Sequence, residues 1–196
     1  ADNERLIRDL PFIEDVRIVI IPDPYEKNYA EVVIITQDRW TKAFFPELKS
    51  LNAGKLEMWD RSIFGTGQEL QFNLHWDRQR NQLLGYEGFW SNKNILGSFI
   101  NSRLSYVNRY ETQAYGIKLE RRFYTPDIRY GGGLDMINHS RVVNVWHSDT
   151  LRKEERIHNQ SADVWIARSF PLRRVNLLSE KRMNITLGTR YFRTVY

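Results

Sequence analysis

The sequence predicts a mainly β chain, part of a transmembrane antiparallel β-barrel preceded by a small α+β unit. Three observations carry this. Between Gly67 and Asp77, GQELQFNLHWD sets Leu70, Phe72, Leu74 and Trp76 on one side of an extended chain and Glu69, Gln71, Asn73, His75 and Asp77 on the other. Such dyad-repeat segments recur down the chain, bounded by turns, which is the signature of a membrane barrel. No run approaches the roughly 18 apolar residues of a spanning helix. A hydrophobic fraction of 41% and a mean hydropathy of −0.56 exclude a helical membrane protein. They suit strands that face water on one side.

The 196 residues include six Trp, ten Tyr and ten Phe, enough for interfacial aromatic girdles. The net charge of +5 comes from basic residues spread among acids, which argues against a nucleic-acid partner. With no cysteine there are no disulfides, thiolate metal sites or cysteine nucleophiles. Ala1 to Arg8 is charged and polar, no initiating Met is present, and the chain ends on a strand-like segment. An internal fragment of something longer is the expectation.

Taken in order, residues 3–10 (NERLIRDL) have Leu6, Ile7 and Leu10 at helical spacing, and Pro11 stops the helix. A strand over Val16 to Ile21 follows, closed by Pro22-Asp23-Pro24-Tyr25. Glu31 to Thr36 returns antiparallel to it. Both strands are nearly continuous apolar runs, so a helix should cover them. Residues 37–54 hold Pro46 and Gly54 without sustained periodicity and are expected to be a surface loop linking to the barrel.

The front segment, RLIRDLPFIEDVRIVIIPD followed by EVVIITQDRW, resembles the second half of a POTRA domain. Leu10, Pro11, Phe12, Asp15 and Val16 match that family's Leu-Pro-Phe step and Asp-Val-Arg strand entry. Phe64, Gly65, Thr66 and Gly67 form a glycine turn similar to an early-barrel element of the BamA/TamA superfamily of outer-membrane POTRA-barrel proteins. As a nucleotide-binding loop the same residues fail, because no helix follows to aim amides at a phosphate. The resemblance implies three parts: residues 1–40 as the C-terminal part of a POTRA-like domain, 41–54 as a linker, and 55–196 as the N-terminal part of an outer-membrane β-barrel.

Barrel strands are expected over Lys55 to Ile63, Gly67 to Asp77 and Ser98 to Val107, with Ile100, Leu104 and Tyr106 on one face. Further ones follow around Tyr115–Leu119, Ile128–Met136, Ala162–Ile166 and Met183–Tyr191, for a total of about seven. Arg103, Lys118, Arg122 and Arg129 should face the lumen, since a lipid-facing cation at the bilayer midplane costs about 2–4 kcal/mol. Asn108-Arg109-Tyr110 is a tight hairpin candidate. Ser148 to Gln160, long, charged and non-periodic, suggests an extracellular loop. A seven-stranded open sheet would leave two unpaired edges in lipid, so more strands are expected to close it. A soluble β-sandwich would also alternate, though with shorter strands.

Catalytic chemistry is not legible. His75, His139, His147 and His158 have no ligand spacing, no Gly-x-Ser-x-Gly elbow exists, and no cofactor is implied. Asn159-Gln160-Ser161 and Asn184-Ile185-Thr186 match the glycosylation triplet, a pattern common by chance. Gly131, Gly132 and Gly133 mark a strand kink, or a place where another segment packs into the lumen. The resemblance implies a non-enzymatic protein of the outer membrane of a Gram-negative bacterium, its POTRA part periplasmic. It implies insertion of β-barrel proteins or translocation of polypeptides. The implied partners are the lipid bilayer, unfolded outer-membrane-protein or secreted-polypeptide clients, and accessory lipoproteins. Client strands would pair at a hairpin edge around Val16, Ile18, Ile20, Val32 and Ile34. They would also pair at a seam strand around Leu56 and Met58. The alternatives are a passive pore, a barrel anchoring an upstream patatin-like enzyme domain, and a soluble β-sandwich binding module.

Overall fold

The computed structural model describes residues 2–25, 29–80, 82–124, 128–147, 151–172 and 184–196, with backbone alone for Asp2, 144–147 and 151–153. Helix α1 (Asp2–Arg8) is followed by β1 (Ile13–Pro22) and β2 (Ala30–Asp38), which pair antiparallel as a two-stranded sheet. Nine more strands follow: β3 (Lys42–Ser50), β4 (Ala53–Asp60), β5 (Gln68–Asp77), β6 (Leu84–Asn92), β7 (Ile100–Arg109), β8 (Thr112–Arg121), β9 (Tyr130–His147), β10 (Leu151–Pro171) and β11 (Asn184–Val195). They form one antiparallel sheet in sequential order, each strand beside its neighbours in the chain. Among the described residues the sheet is not closed: β3 and β11 each have a single partner.

The mainly β class and the antiparallel hairpin order agree with the sequence. Several particulars are corrected. The expected loop over 37–54 contains a strand, β3, whose Pro46 is tolerated because the strand lies at the sheet edge. A further strand, β6, was hidden because Gly85 and Gly88 interrupt its apolar pattern, so the sheet has nine strands rather than seven. The strand expected over Lys55 to Ile63 is β4, and Ile63 already lies in a 3₁₀ turn. Ser148 to Gln160 is not a loop. From Leu151 onward it is the first half of the 21-residue β10, paired to the 18-residue β9. Both faces of that half are polar, so no dyad signal marked it. Beyond Arg141, the last β9 residue paired to β8, and Gln160, the last β10 residue paired to β11, the two strands continue as a free-standing ribbon.

The hairpin foreseen at Asn108-Arg109-Tyr110 turns instead at Tyr110-Glu111, with Arg109 opposite Thr112 and Tyr110 at φ 54°. Arg122 and Arg129 flank β8 and β9 rather than lying within them. Met183 lies outside the described residues. The helix also covers less than the apolar runs of β1 and β2 led us to expect. With seven residues it buries Ile13 and Val16 but leaves Ile20, Val32, Ile34 and Ile35 exposed.

Those two are the only buried large apolar side chains among the described residues. The nine-stranded sheet is a single layer. No second sheet or helix packs over its faces among the described residues, as a sandwich would require. The chain exposes 15542 Å², against roughly 9,700 Å² for a compact water-soluble protein of 23.4 kDa.

Candidate functional site: a two-faced sheet and its lower rim

Strand register sorts the side chains onto two faces. One face carries Leu70, Trp90, Leu104, Ile117 and Met136 in a continuous row across five strands. All but four of the exposed large apolar side chains in the nine strands lie on this side; Phe45, Ile137, Ile157 and Phe192 are the exceptions. From β3 to β8 the strands are eight to ten residues long, close to the roughly 9–11 that cross a bilayer. Where the apolar row meets the upper end of the sheet, Tyr106 pairs with Tyr115 across the strands, and Tyr86 stacks on Tyr106 at 5.9 Å. Aromatics at that height are what an interface selects.

The opposite face is a polar network. Asn73 Nδ2 donates to Glu87 Oε2 at 3.0 Å, while Arg109 and His75 meet Glu87 Oε1 at 3.0 and 3.4 Å. Lys55 pairs with Glu57 at 3.0 Å and with Glu47 at 3.6 Å. Farther along, Lys118 faces Asp135 at 3.4 Å, and Arg190 Nε donates to Asp163 at 2.8 Å. Arg103, opposite Lys118 in the ladder, lies on this face over the Phe89 ring at 5.1 Å. Charges are thus matched on one side of the sheet and sparse on the other, where below the β9–β10 ribbon the Lys42–Asp60 pair, Arg121, Arg168 and Arg193 stand.

The helix–hairpin unit meets the sheet at the end where β3 starts, here called the lower rim. Phe12, the last residue of the Leu-Pro-Phe step, lies over Gly67, the last of the glycine turn. Gly67 has φ 72°, and a Cβ there would come within 2.8 Å of the Phe12 ring. The two short motifs that carry the family resemblance therefore touch each other. Lys93 Nζ donates to Asp9 O at 2.8 Å and Arg5 to Tyr124 O at 2.5 Å, which tie the helix side of the unit to two more lower loops. Within the unit, the Ile18 N–H donates to Glu4 at 3.0 Å and holds that carboxyl below its ordinary range. Asp15 is lowered likewise, first by the Val16 N–H and then by Arg8, 2.9 Å away.

The glycine turn also has a counterpart. Ile63-Phe64-Gly65-Thr66 closes with Thr66 N and Oγ1 both donating to Ile63 O, at 3.0 and 2.7 Å. Ile95-Leu96-Gly97-Ser98 closes with Ser98 N and Oγ donating to Ile95 O, at 2.9 and 2.6 Å. Phe64 (φ 50°) and Leu96 (φ 48°) occupy the left-handed region, which costs a bulky L-residue about 1–2 kcal/mol. Each projects almost wholly into solvent, 97% and 101% exposed.

All three glycines of the run Gly131–Gly133 pair to β10, and Gly132 and Gly133 also to β8, without a register shift. Two of them make room for rings. A Cβ on Gly133 would run into the Trp165 indole across the strand, and one on Gly131 would approach Phe123 at 2.9 Å. Of the strand-pairing residues expected from sequence, Ile18 and Ile20 lie opposite Ile34 and Val32, and Val16 lies opposite Thr36. Each strand of the hairpin keeps one free edge. Leu56 and Met58 are on β4, enclosed between β3 and β5, so the free edge lies one strand earlier than expected. Sequence reasoning missed the Phe12–Gly67 contact and the twin turns; the repeated Ile-x-Gly-Thr/Ser at 63–66 and 95–98 was the signal for the second. No protein-family model matches the chain, and no curated protein matches it either.

Proposed function

We propose that the nine-stranded sheet is part of a membrane-spanning β-barrel of the POTRA-barrel type, inserting β-barrel proteins into the outer membrane or translocating polypeptides across it. The observation that carries this is the single-layer sheet with an uncovered apolar face opposite a charge-paired polar one. In water such a face would be a contiguous apolar patch far beyond the few hundred Å² a soluble protein tolerates. In lipid it is the favourable surface, and the polar network faces an aqueous lumen.

The remaining features find roles within that reading. Open edges cannot persist in hydrocarbon, where each unsatisfied backbone group costs several kcal/mol, so β3 and β11 are the seams at which further strands join. The β1–β2 hairpin, a POTRA-like element in this reading, keeps free edges in water and offers client strands a place to add. Contact between Phe12 and Gly67 then couples client capture to the barrel rim.

Carbonate extraction and heat-modifiable mobility in detergent test the proposal on the full-length protein. Retention in the membrane with a band that shifts on boiling is expected. A freely soluble, unshifted protein refutes it. Accumulation of unassembled outer-membrane proteins on depletion separates insertion from secretion.

A further inference from the structure

Three arginines stand on the apolar face against its general rule: Arg193, opposite Ala162 near the upper end of β11, and two that lie together toward the lower rim. Arg121 ends β8 and Arg168 lies near the lower end of β10, on the same face as Leu104 and Ile117. Neither has an acidic partner among the described residues. The Nε of Arg121 is buried without any hydrogen-bond partner. Arg168 is held between two rings of the same face, its guanidinium 5.3 Å from the centre of Tyr130 and 4.9 Å from that of Phe170. Between the arginines runs β9, with Gly132 opposite Arg121 and Tyr130 opposite Arg168. From strand spacing and rise, the two Cα atoms are roughly 12 Å apart, within converging reach of two long side chains. The floor is open: a Cβ on Gly132 would meet no side chain, only the Trp165 carbonyl at 3.2 Å.

We propose that Arg121 and Arg168 clamp the phosphate of a phospholipid headgroup above Gly132, in the leaflet at the lower rim. The inference rests on the membrane reading above and names a ligand for that surface. An unpaired guanidinium facing lipid must find an anion at the interface, and bidentate donors suit phosphate. A lipid supplies that phosphate at the right height, because its acyl chains continue upward over Leu134, Met136 and Ile166 on the same face. Tyr130 and Phe170 hold Arg168 by cation–π contact and flank the headgroup as interfacial aromatics do.

Native mass spectrometry of the full chain in detergent, titrated with phosphatidylglycerol or with diacylglycerol of the same chain length, tests this. Phosphatidylglycerol should be retained and diacylglycerol not. The R121Q/R168Q double variant should weaken phosphatidylglycerol retention about tenfold or more, the scale of losing a charge-assisted contact. Arg103→Gln, on the polar face, should leave retention unchanged. Undiminished retention by a double variant that still shows the heat-modifiable band overturns the clamp and leaves the barrel standing. Displacement by millimolar inorganic phosphate overturns the lipid assignment. A freely soluble, unshifted wild type overturns both readings. Should the double variant give no shifting band, R168Q alone, at an exposed position, carries the same comparison.

Discussion

A cation placed on either face of β7 separates a lipid-facing sheet from a water-facing one. Leu104 is 44% exposed on the apolar face, between Trp90 and Ile117 in the ladder and midway along the stripe Ile100–Tyr106. Ser105, its neighbour, points to the polar face beside Gly116. Leu104→Lys removes a half-buried leucine, worth about 1 kcal/mol of the 1.5–3 for full burial. It also places an ammonium near the bilayer midplane, at about 2–4 kcal/mol. The expected loss is therefore about 3–5 kcal/mol in lipid, a shift of more than 100-fold in the folding equilibrium. Ser105→Lys should stay within about 0.5 kcal/mol, as surface substitutions do. Urea unfolding in lipid vesicles, followed by the heat-modifiable band, reads both. Equal losses at the two positions, or a Leu104→Lys change under about 0.5 kcal/mol, would refute the assignment of faces.

Other expectations follow from the rim. Gly67→Val should displace Phe12 and free the helix–hairpin unit, seen as faster proteolysis between residues 38 and 42 with the heat-modifiable band retained; unchanged cleavage would show the contact carries no coupling. Phe64→Asn should stabilise the β4–β5 turn by about 1 kcal/mol, since asparagine accepts the left-handed backbone, and a lower urea midpoint would mean the Phe64 ring has a partner in the membrane. Acid should loosen the N-terminal unit. The carboxyls of Glu4 and Asp15 are lowered in the folded chain, so their contribution is whole above about pH 5 and fades as pH falls through and below the ordinary carboxylate range. Hydrogen exchange at the Ile18 amide, corrected for intrinsic rate, should accelerate there; Glu4→Gln should remove most of that pH dependence.

How much of this was legible in the sequence depends on what each residue had to satisfy. Where a strand has one apolar and one polar face, as Leu70–Trp76 and Leu104–Tyr106 do, period-2 alternation follows and the strand is visible. The lower half of β9 showed itself by the same alternation. The first half of β10 is polar in sequence on both faces, so no alternation marked it and it resembled a charged loop. β3 was obscured by Pro46, which is a breaker inside a sheet but acceptable on an edge, and edge position cannot be known before the neighbours are placed. Glycine hid β6. At 133 a glycine beside Trp165 is a gap for the indole, a neighbour across the strand that the sequence alone does not disclose. The clustering of arginines on the apolar face depended on register, which a single strand does not disclose.

The two open edges are not equivalent, and the difference bears on which one yields. β11 pairs with β10 over twelve residues without a register shift and contains no proline, so its outer edge is a regular template. β3 carries Pro46 at its centre, lysines at positions 42 and 49, and a register shift between Leu48 and Ser50. Proline, lysine and a bulge are the means by which natural sheets discourage pairing at an edge. In a barrel seam they would make β3 the strand that releases its partner most readily, the property an insertion machine needs where incoming strands enter. Pro46→Val restores one N–H and a β-branched side chain, strengthening the strand by about 0.5–1.5 kcal/mol, the net worth of one hydrogen bond. If a weak β3 edge sets the rate, this more stable variant should insert a reporter barrel into liposomes several-fold more slowly, with its own heat-modifiable band intact. An unchanged or faster rate would show that the opening lies elsewhere, and that Pro46 serves only to keep an exposed edge from aggregating before the sheet is complete.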